Sequence, residues 1–389
     1  MSSTPYQTSS ARTAVVLSGS GCSATASFGV GVMQGLHENA AHHHGAPFNP
    51  TIFSGSGFGG FNATIMAAEL HRGVAGALNY LRDAWLDGIC STDSRPNGVF
   101  RLRGNPLPLF EPKAWMGGPA PAVNFVKDMA FLAEDLTRRI QANFSSSDHD
   151  NLLVKILKIP AMTPLFDMSP LQAQLAKQVD LNKLAHSTAE LLVVASDWAR
   201  GAPHLFTRHE INHDIGLRVL QASAAFTLAF PFVEIYGRPF AGAPGTMATP
   251  LQPVIDNYAA GEEPLTIHVV FLDRPMADIP YDKPDNALGG LGRWFTQNEA
   301  VNIHAQAEYG HPPSITLKAH GVAHQAEPVT HPPEIHYYRP RKPIVNWFDF
   351  ANFDRKTTED YMAKGADVAR HHDCATEGCI VNSRKAQAA

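Results

Sequence analysis

The sequence predicts an α/β domain with a mainly parallel central sheet, and three observations lead to that prediction. Short apolar segments at 13–18, 190–198 and 265–272 have the composition of buried strands. Segments with apolar residues at helical spacing lie between them. Glycine-rich turns follow the first apolar segment and a second one that ends near 53. Buried strands that alternate with helices are typical of a parallel sheet covered by helices.

Composition limits the classes of protein to which the chain can belong. Its 389 residues are 44% apolar and 17% charged, which is typical of one large or two smaller globular domains. The formal net charge of −5 favours neither nucleic acid nor an anionic membrane as a partner. No run of about 18 apolar residues is present, so no membrane-spanning helix is expected.

The N-terminus and the cysteines predict a cytoplasmic protein. Residues 1–12 are polar and rich in Ser and Thr, without the apolar core of a signal peptide, and we expect them to be flexible. The four cysteines, Cys22, Cys90, Cys374 and Cys379, are few and unevenly spaced, which favours a reducing compartment. A local bridge between Cys374 and Cys379 is the less favoured alternative.

The first predicted strand, 13–18, is followed by a turn, Gly19-Ser20-Gly21, and then by a helix pattern over 24–36. The start of a helix carries backbone N–H groups without intrahelical partners, and a glycine-rich turn exposes them to anions. The turn is therefore a candidate for binding a phosphate or an oxyanion. Glycine can also be placed there only to allow close packing.

The second glycine-rich turn is the main functional signal of the sequence. An apolar strand over 50–53 enters it, and a helix-compatible segment over 62–69 leaves it. A strand, a sharp turn and a helix form the nucleophile elbow, in which a G-x-S-x-G spacing presents the central serine. Here the flanking glycines are Gly55 and Gly59, and the central residue is Gly57. The flanking glycines of the elbow motif are present, but the nucleophilic side chain at its centre is missing.

Further elements follow along the chain. We predict a helix over 71–85, a long excursion over 91–122 and an amphipathic helix over 123–142. A helix over 169–186 follows, beginning with Ser169 and Pro170. After it we predict a strand over 190–198 with a hairpin partner over 205–208, and a helix over 215–226. A long excursion inside a domain is typical of a lid or a binding loop. The apolar stripe of the 123–142 helix indicates either core packing or an acyl-binding face.

The last third completes the predicted domain. A hairpin over 230–240 turns at Tyr236-Gly237, and a turn-rich passage leads into a helix from about Pro253. A strand over 334–338 and a helix over 356–371 follow a segment rich in Pro and His. We therefore predict one domain over 13–370, with a core over 13–275 and a C-terminal completion over 276–370, and a flexible tail over 371–389.

The histidines do not predict a metal site. The run His42-His43-His44 lies in a polar stretch and is predicted to be a solvated loop, because it lacks the spaced partners of a tetrahedral site. The later histidines, at positions 304, 311, 320, 324, 331 and 336, do not have zinc-type spacing and are predicted to lie on the surface. No metal and no cofactor are expected.

The order of several motifs identifies a family. These are Leu17-Ser18-Gly19-Ser20-Gly21, Gly31-Val32-Met33-Gln34-Gly35-Leu36, Gly55 to Ala63, Ala222 to Phe226 with Phe230-Pro231-Phe232-Val233, Ala241-Gly242-Ala243 with Thr249-Pro250-Leu251, and in the tail Trp347 to Phe350 with Gly365-Ala366-Asp367. In this order the motifs resemble those of bacterial patatin-like phospholipases, in particular a subgroup with an extra C-terminal segment. The resemblance covers most of the chain and implies a three-layer α/β/α fold.

The resemblance also implies a chemistry. In this family a serine attacks an acyl ester, an aspartate activates the serine, and a glycine-rich loop binds the oxyanion. The oxyanion loop falls on Gly19, Ser20 and Gly21, and the elbow glycines fall on Gly55, Gly59 and Gly60. The nucleophile position is Gly57 and the acid position is Ala241, and the family's arginine after the oxyanion glycines has no counterpart. The ligand implied is an acyl ester or a lipid-like molecule, with peripheral membrane contact left open.

Three interpretations of the missing dyad follow. The chain is a natural pseudoenzyme that has kept the fold and lost hydrolysis, which accounts for the loss of both dyad residues and the arginine. Alternatively it is an active hydrolase with a relocated nucleophile, for which Ser56 is nearest, although no base for it can be named. In the third interpretation the dyad residues were replaced by design, which leaves the missing arginine unexplained. A lipid-binding or regulatory module is the alternative of a different class.

Overall fold

The fold is described from a computed structural model. The residues that it describes are 12–19, 24–44, 47–92, 98–102, 126–131, 133–134, 137, 166–212, 214–226, 230–243, 246–259, 263–274, 278, 297–298, 301, 332–344 and 352–381, with the side chains of 40–44 left out.

Ten strands and nine α-helices are named among these residues. The strands are β1 (Arg12–Leu17), β2 (Ile52–Ser56), β3 (Arg101–Leu102), β4 (Phe166–Asp167), β5 (Glu190–Asp197), β6 (Ala202–Thr207), β7 (Val233–Ile235), β8 (Arg238–Ala241), β9 (Leu265–Val270) and β10 (Glu334–Tyr338). The helices are α1 (Ser27–His44), α2 (Phe58–Glu69), α3 (Gly73–Asp83), α4 (Ser169–Gln178), α5 (Leu181–Ala185), α6 (Gly216–Ala224), α7 (Leu251–Tyr258), α8 (Arg355–Arg370) and α9 (Cys374–Glu377). Shorter turns of 3-10 helix cover Ala24–Ala26 and Leu70–Arg72, and a π-helix covers Ala84–Ile89.

One sheet of eight strands organises the described residues. Its order is β10-β9-β1-β2-β5-β8-β7, and β6 also pairs with β5. The five strands from β10 to β5 run parallel, whereas β6, β7 and β8 pair antiparallel at the other side. The predicted α/β class and mainly parallel sheet are therefore confirmed.

The two faces of the sheet belong to two separate cores. Along β1, Val15 and Leu17 join the large core that contains α1, α2 and α3, whereas Ala14 and Val16 join the smaller core with α7. Successive residues of a strand point to opposite faces, which accounts for this division. Helices thus cover both faces, as the predicted three-layer arrangement requires.

The C-terminal segment is part of this arrangement. Strand β10 extends the parallel sheet beyond β9, and α8 packs along α1. Residues 371–381, which we expected in a flexible tail, form α9 and an antiparallel bridge between Ile380 and Ile335 of β10. The two backbone hydrogen bonds of this bridge are both 2.8 Å long.

Two local predictions are wrong. Residues 42–44 form the end of α1 and not a loop, because a helix started by buried residues propagates at little cost through adjoining polar ones. The elbow helix begins at Phe58 and not near Asn62, directly after Gly57. Packing of all of α2 into the core outweighs the weak helix propensity of Gly59 and Gly60.

The hairpin over 230–240 turns at Tyr236-Gly237, as predicted. Tyr236 has φ 52° and Gly237 has φ 69°. Two central residues with positive φ define the type I′ turn, whose twist suits a two-residue hairpin loop. The turn fixes the register in which Ile235 of β7 faces Arg238 of β8.

Several predictions lie partly or wholly outside the described residues. Of the excursion over 91–122, residues 91–92 and 98–102 are described, and of the helix over 123–142, residues 126–131 are helical. The histidines at 304, 311, 320, 324 and 331 fall outside. In the described part of the chain, no helix is both long and apolar enough to cross a bilayer.

Candidate functional site

The turn between β2 and α2 has the backbone of a nucleophile elbow. Gly57 lies between the last residue of β2, Ser56, and the first residue of α2, Phe58, with φ 57° and ψ −136°. This is a sparsely populated conformation that costs a residue with a side chain on the order of 1–3 kcal/mol. A glycine adopts it freely. The strained turn that presents a nucleophile in hydrolases is therefore present here with no side chain on it.

Glycines allow the elements around this turn to touch through their backbones. A Cβ added at Gly59 would lie 2.5 Å from the carbonyl oxygen of Leu17, and one at Gly55 would lie 2.6 Å from the amide nitrogen of Gly60. A Cβ at Gly19 would lie 2.6 Å from the carbonyl carbon of Ser56. The end of β1 is thus held directly against the elbow.

Ser56 does not present its hydroxyl on this surface. Its side chain is fully buried, and its Oγ has no hydrogen-bond partner among the described residues. A Cβ on Gly19 would lie 2.5 Å from that oxygen, so the hydroxyl points toward the end of β1. A nucleophile needs a base within hydrogen-bond reach and access to the substrate. This geometry does not favour Ser56 as a relocated nucleophile.

Ser223 connects the elbow with the end of β8. Its Oγ accepts the amide of Gly57 at 2.9 Å and donates to the carbonyl of Val194 in β5 at 2.6 Å. The amide of Gly242, directly after Ala241, donates to Ala225 at 2.6 Å. A Cβ on Gly242 would lie 3.0 Å from the carbonyl oxygen of Ser223. Gly57 and the residue that follows Ala241 therefore both contact Ser223, and Ala241 itself is buried.

The backbone N–H of Gly19, the first residue of the predicted oxyanion loop, already makes a hydrogen bond within the protein. Gly19 donates its N–H to the carbonyl of Ala248 at 2.8 Å, and Ser18 hydrogen-bonds Thr249 through their hydroxyls at 2.6 Å. The N–H of Gly19 is therefore already used within the protein. Residues 20–23, which include Ser20 and Gly21, lie outside the described part of the chain.

The side chains beside the elbow are aromatic. Phe58 packs against Phe100 and Phe353 with ring centroids 6.0 and 5.6 Å apart, and Phe100 packs against Phe230 at 4.4 Å. All four are buried. This aromatic cluster gives one side of the elbow an apolar environment. A groove of about 490 Å³ between α1, α3 and α8 contains none of the predicted site residues.

A buried carboxyl group that no sequence motif indicates lies at the same edge of the sheet. Asp273 lies three residues beyond β9 and is fully buried, with its Oδ1 accepting the amide of Arg274 at 2.8 Å. Burial raises the pKa of Asp273 from 3.8 to about 6, against the lowering effect of Arg274. Strand β9 is two strands away from β2, which leads into the elbow, and this corresponds to about 10 Å between the two strands. The order of the strands therefore does not place Asp273 beside Gly57.

We expect Asp273→Asn to stabilise the protein at neutral pH and not at pH 4. Because the pKa of Asp273 is higher in the folded chain, ionisation opposes folding, and this penalty grows from about pH 4 to 6 and is complete above it. A shift from 3.8 to about 6 corresponds to at most about 3 kcal/mol. Urea unfolding from pH 4 to 8 measures the difference. The exposed Asp83→Asn is the control, and a gain that is constant over this range would contradict the assignment.

A second group of residues contradicts a prediction. His336, predicted to lie on the surface, is buried at 4% exposure. It lies with His372, Cys374 and Cys379 in a group that has the composition of a metal-binding site. These residues come from separate parts of the chain, so their spacing in the sequence does not predict a metal site.

The fold and the turn define an α/β protein with a hydrolase-type elbow. A model of the patatin-like phospholipase family matches residues 15–255, and the chain belongs to that family. The solved structure of VipD from Legionella pneumophila is similar over 92% of this chain and 67% of that chain, with 14% identity and a TM-score of 0.35. No curated protein matches the chain.

Proposed function

We propose that this protein is a patatin-like pseudoenzyme that binds an acyl or lipid-type ligand without hydrolysing it. The observation that carries the proposal is the elbow at Gly57, which keeps the φ and ψ of a nucleophile turn and has no side chain. Ala241, at the acid position, supplies no carboxylate. Without a nucleophile and its base, the family's two-step ester cleavage cannot begin.

The alternative of an active hydrolase that uses Ser56 has less support. The hydroxyl of Ser56 is buried beneath the turn, and no described base hydrogen-bonds it. Asp197 of β5 follows Ser196, the residue that pairs with Ala241 in the sheet, and its carboxylate is already ion-paired with Arg238. The arginine already holds this carboxylate in position, so it is a poor candidate for a base at the elbow.

Two observations favour an apolar ligand. The buried aromatic cluster makes the surroundings of the elbow apolar, and apolar side chains predominate in the lining of ligand sites. In addition, Trp198 and Phe232 are about half exposed, at 52% and 45%, with ring centroids 5.1 Å apart. Exposed Trp and Phe side chains partition well into a lipid interface. This pair lies near β7 and β8, and we include peripheral membrane contact in the proposal.

Ligand binding is tested on the purified, tag-free chain. Native mass spectrometry followed by lipid extraction is expected to detect a co-purified fatty acid or phospholipid. A fluorescent fatty acid added to delipidated protein is expected to bind and to be displaced by unlabelled lipid. Absence of bound lipid together with no binding of the fluorescent fatty acid would contradict the ligand class.

Membrane contact has its own test. Flotation with phosphatidylcholine vesicles is expected to recover the wild-type chain, and the double variant Trp198→Ala/Phe232→Ala is expected to lose most of this binding. Val126→Ala, which shortens a still more exposed apolar side chain in another segment, is the control. Equal flotation of all three proteins would exclude this pair as a contact surface.

A further inference from the structure

Four potential metal ligands converge at the edge of the sheet, far along the chain from the elbow. His336 belongs to β10, whereas His372, Cys374 and Cys379 follow α8. One ligand atom of each residue lies within 4.8 Å of the ligand atoms of the other three. Sγ of Cys374 is 3.4 Å from Nδ1 of His336 and 3.5 Å from Nε2 of His372, and Sγ of Cys379 is 3.4 Å from the same Nε2.

Three of these distances match the S···N separation of a tetrahedral zinc site. Zn–S bonds of about 2.3 Å and Zn–N bonds of about 2.0–2.1 Å place a sulfur and a nitrogen ligand about 3.5 Å apart at the tetrahedral angle. The three S···N separations given above lie within about 0.1 Å of that value. Two cysteines and two histidines are also a common ligand set of structural zinc sites.

The local chain holds the two sulfur atoms in place. Asp373 caps α9 by accepting the amide of Ala375 at 3.1 Å, and Gly378 ends the helix in the left-handed conformation. Through this turn the amide of Cys379 reaches the carbonyl of Cys374 at 3.0 Å. The short helix therefore turns the chain so that both sulfurs face the same point.

Residues of β10 make further contacts with the four potential ligands and with the segment that follows them. The amide of Tyr337 donates to Sγ of Cys379 at 3.3 Å, a hydrogen bond that stabilises a thiolate. The ring of His372 packs against Tyr338 with centroids 4.4 Å apart. The bridge between Ile335 and Ile380 fixes the segment beyond Cys379 against the same strand. Strand and tail are thus already arranged around the four ligands.

We propose that His336, His372, Cys374 and Cys379 bind one zinc ion, which fastens the segment after α8 to the edge strand β10. Four protein ligands leave no open position, so the site is structural and not catalytic. Zinc binds the cysteines as thiolates, and the two thiol protons are released to solvent on binding. In the structure both cysteines are free thiols and not a disulfide.

The metal content of the tag-free chain tests the site. We expect elemental analysis to find about one equivalent of zinc per chain, and a chelator to remove it with a fall in melting temperature. Adding Co²⁺ to the stripped chain should give the intense visible bands and the thiolate charge-transfer band of tetrahedral Co²⁺. This spectrum is measured on the wild-type chain, so it does not depend on whether a variant folds.

Variants separate this site from adventitious binding to the many other histidines. Cys374→Ser/Cys379→Ser is expected to lose the equivalent of zinc and the Co²⁺ spectrum. His371→Ala, which removes an exposed neighbouring histidine, and Cys90→Ser, which removes a buried cysteine elsewhere, should retain both. Wild-type chain that carries a Cys374–Cys379 disulfide after non-reducing purification, or zinc content equal in all variants, would overturn the proposal.

Discussion

The double variant Gly57→Ser/Ala241→Asp is expected to hydrolyse p-nitrophenyl acyl esters at least about a hundredfold faster than the wild-type chain. The added hydroxyl would stand on a turn that already has the φ of 57° and ψ of −136° of an elbow. The added carboxylate would supply the base that a hydroxyl nucleophile needs, which is typically worth 10²–10⁴-fold. The rate of ester hydrolysis should increase far less in each single variant, because residues that act together have non-additive effects.

The same experiment has a matched control. Gly57→Ala/Ala241→Asp carries the same backbone strain and the same added charge, but no hydroxyl. It should remain at the wild-type rate, and both double variants should lose about 1–3 kcal/mol of stability from the side chain at Gly57. Circular dichroism confirms that each is folded. A folded serine-containing variant that is no faster than the alanine control would show that the remaining frame cannot support catalysis.

Gly365→Ala is expected to destabilise the protein by about 1–3 kcal/mol, although alanine normally favours a helix over glycine by about 1 kcal/mol. A Cβ at Gly365 of α8 would contact the carbonyl oxygen of Phe28 and lie 2.8 Å from the amide nitrogen of Val32, both in α1. A Cβ at Gly31 would likewise lie 2.6 Å from the carbonyl carbon of Met362. Backbone atoms cannot rotate away, so the two helices must separate.

Urea unfolding of Gly365→Ala measures this effect. Ala363→Leu adds a larger side chain at an exposed position of the same helix and should change the free energy of unfolding by less than about 0.5 kcal/mol. A Gly365→Ala variant that is more stable than the wild type would mean that helix propensity dominates and that α8 does not pack this closely on α1.

Much of the fold could be predicted from local patterns. Strand β10 was predicted with the observed bounds, Glu334–Tyr338, because five residues of β-favouring composition lie between prolines. The hairpin turn at Tyr236-Gly237 was found because its glycine permits a positive φ. The glycine frame around Gly57 could be recognised because its spacing is local and each glycine has a packing reason.

The remaining features depend on contacts between distant segments. His336 appeared to be a surface residue because no other ligand lies near it in sequence. The tail cysteines reach it through contacts with β10 such as the pairing of Ile335 with Ile380. The direction of the Ser56 side chain could not be predicted either, since it depends on how closely Gly19 approaches the end of β2. The same holds for Asp273, whose raised pKa results from burial.

Ester turnover by the wild-type chain tests the central claim most directly, namely that a hydrolase scaffold persists here without its reacting side chains. The purified chain is incubated with p-nitrophenyl esters of graded acyl length, beside Ser56→Ala. The account predicts release of p-nitrophenol at the rate of buffer alone for both proteins and every chain length. Wild-type turnover that Ser56→Ala abolishes would contradict it and would identify Ser56 as the nucleophile.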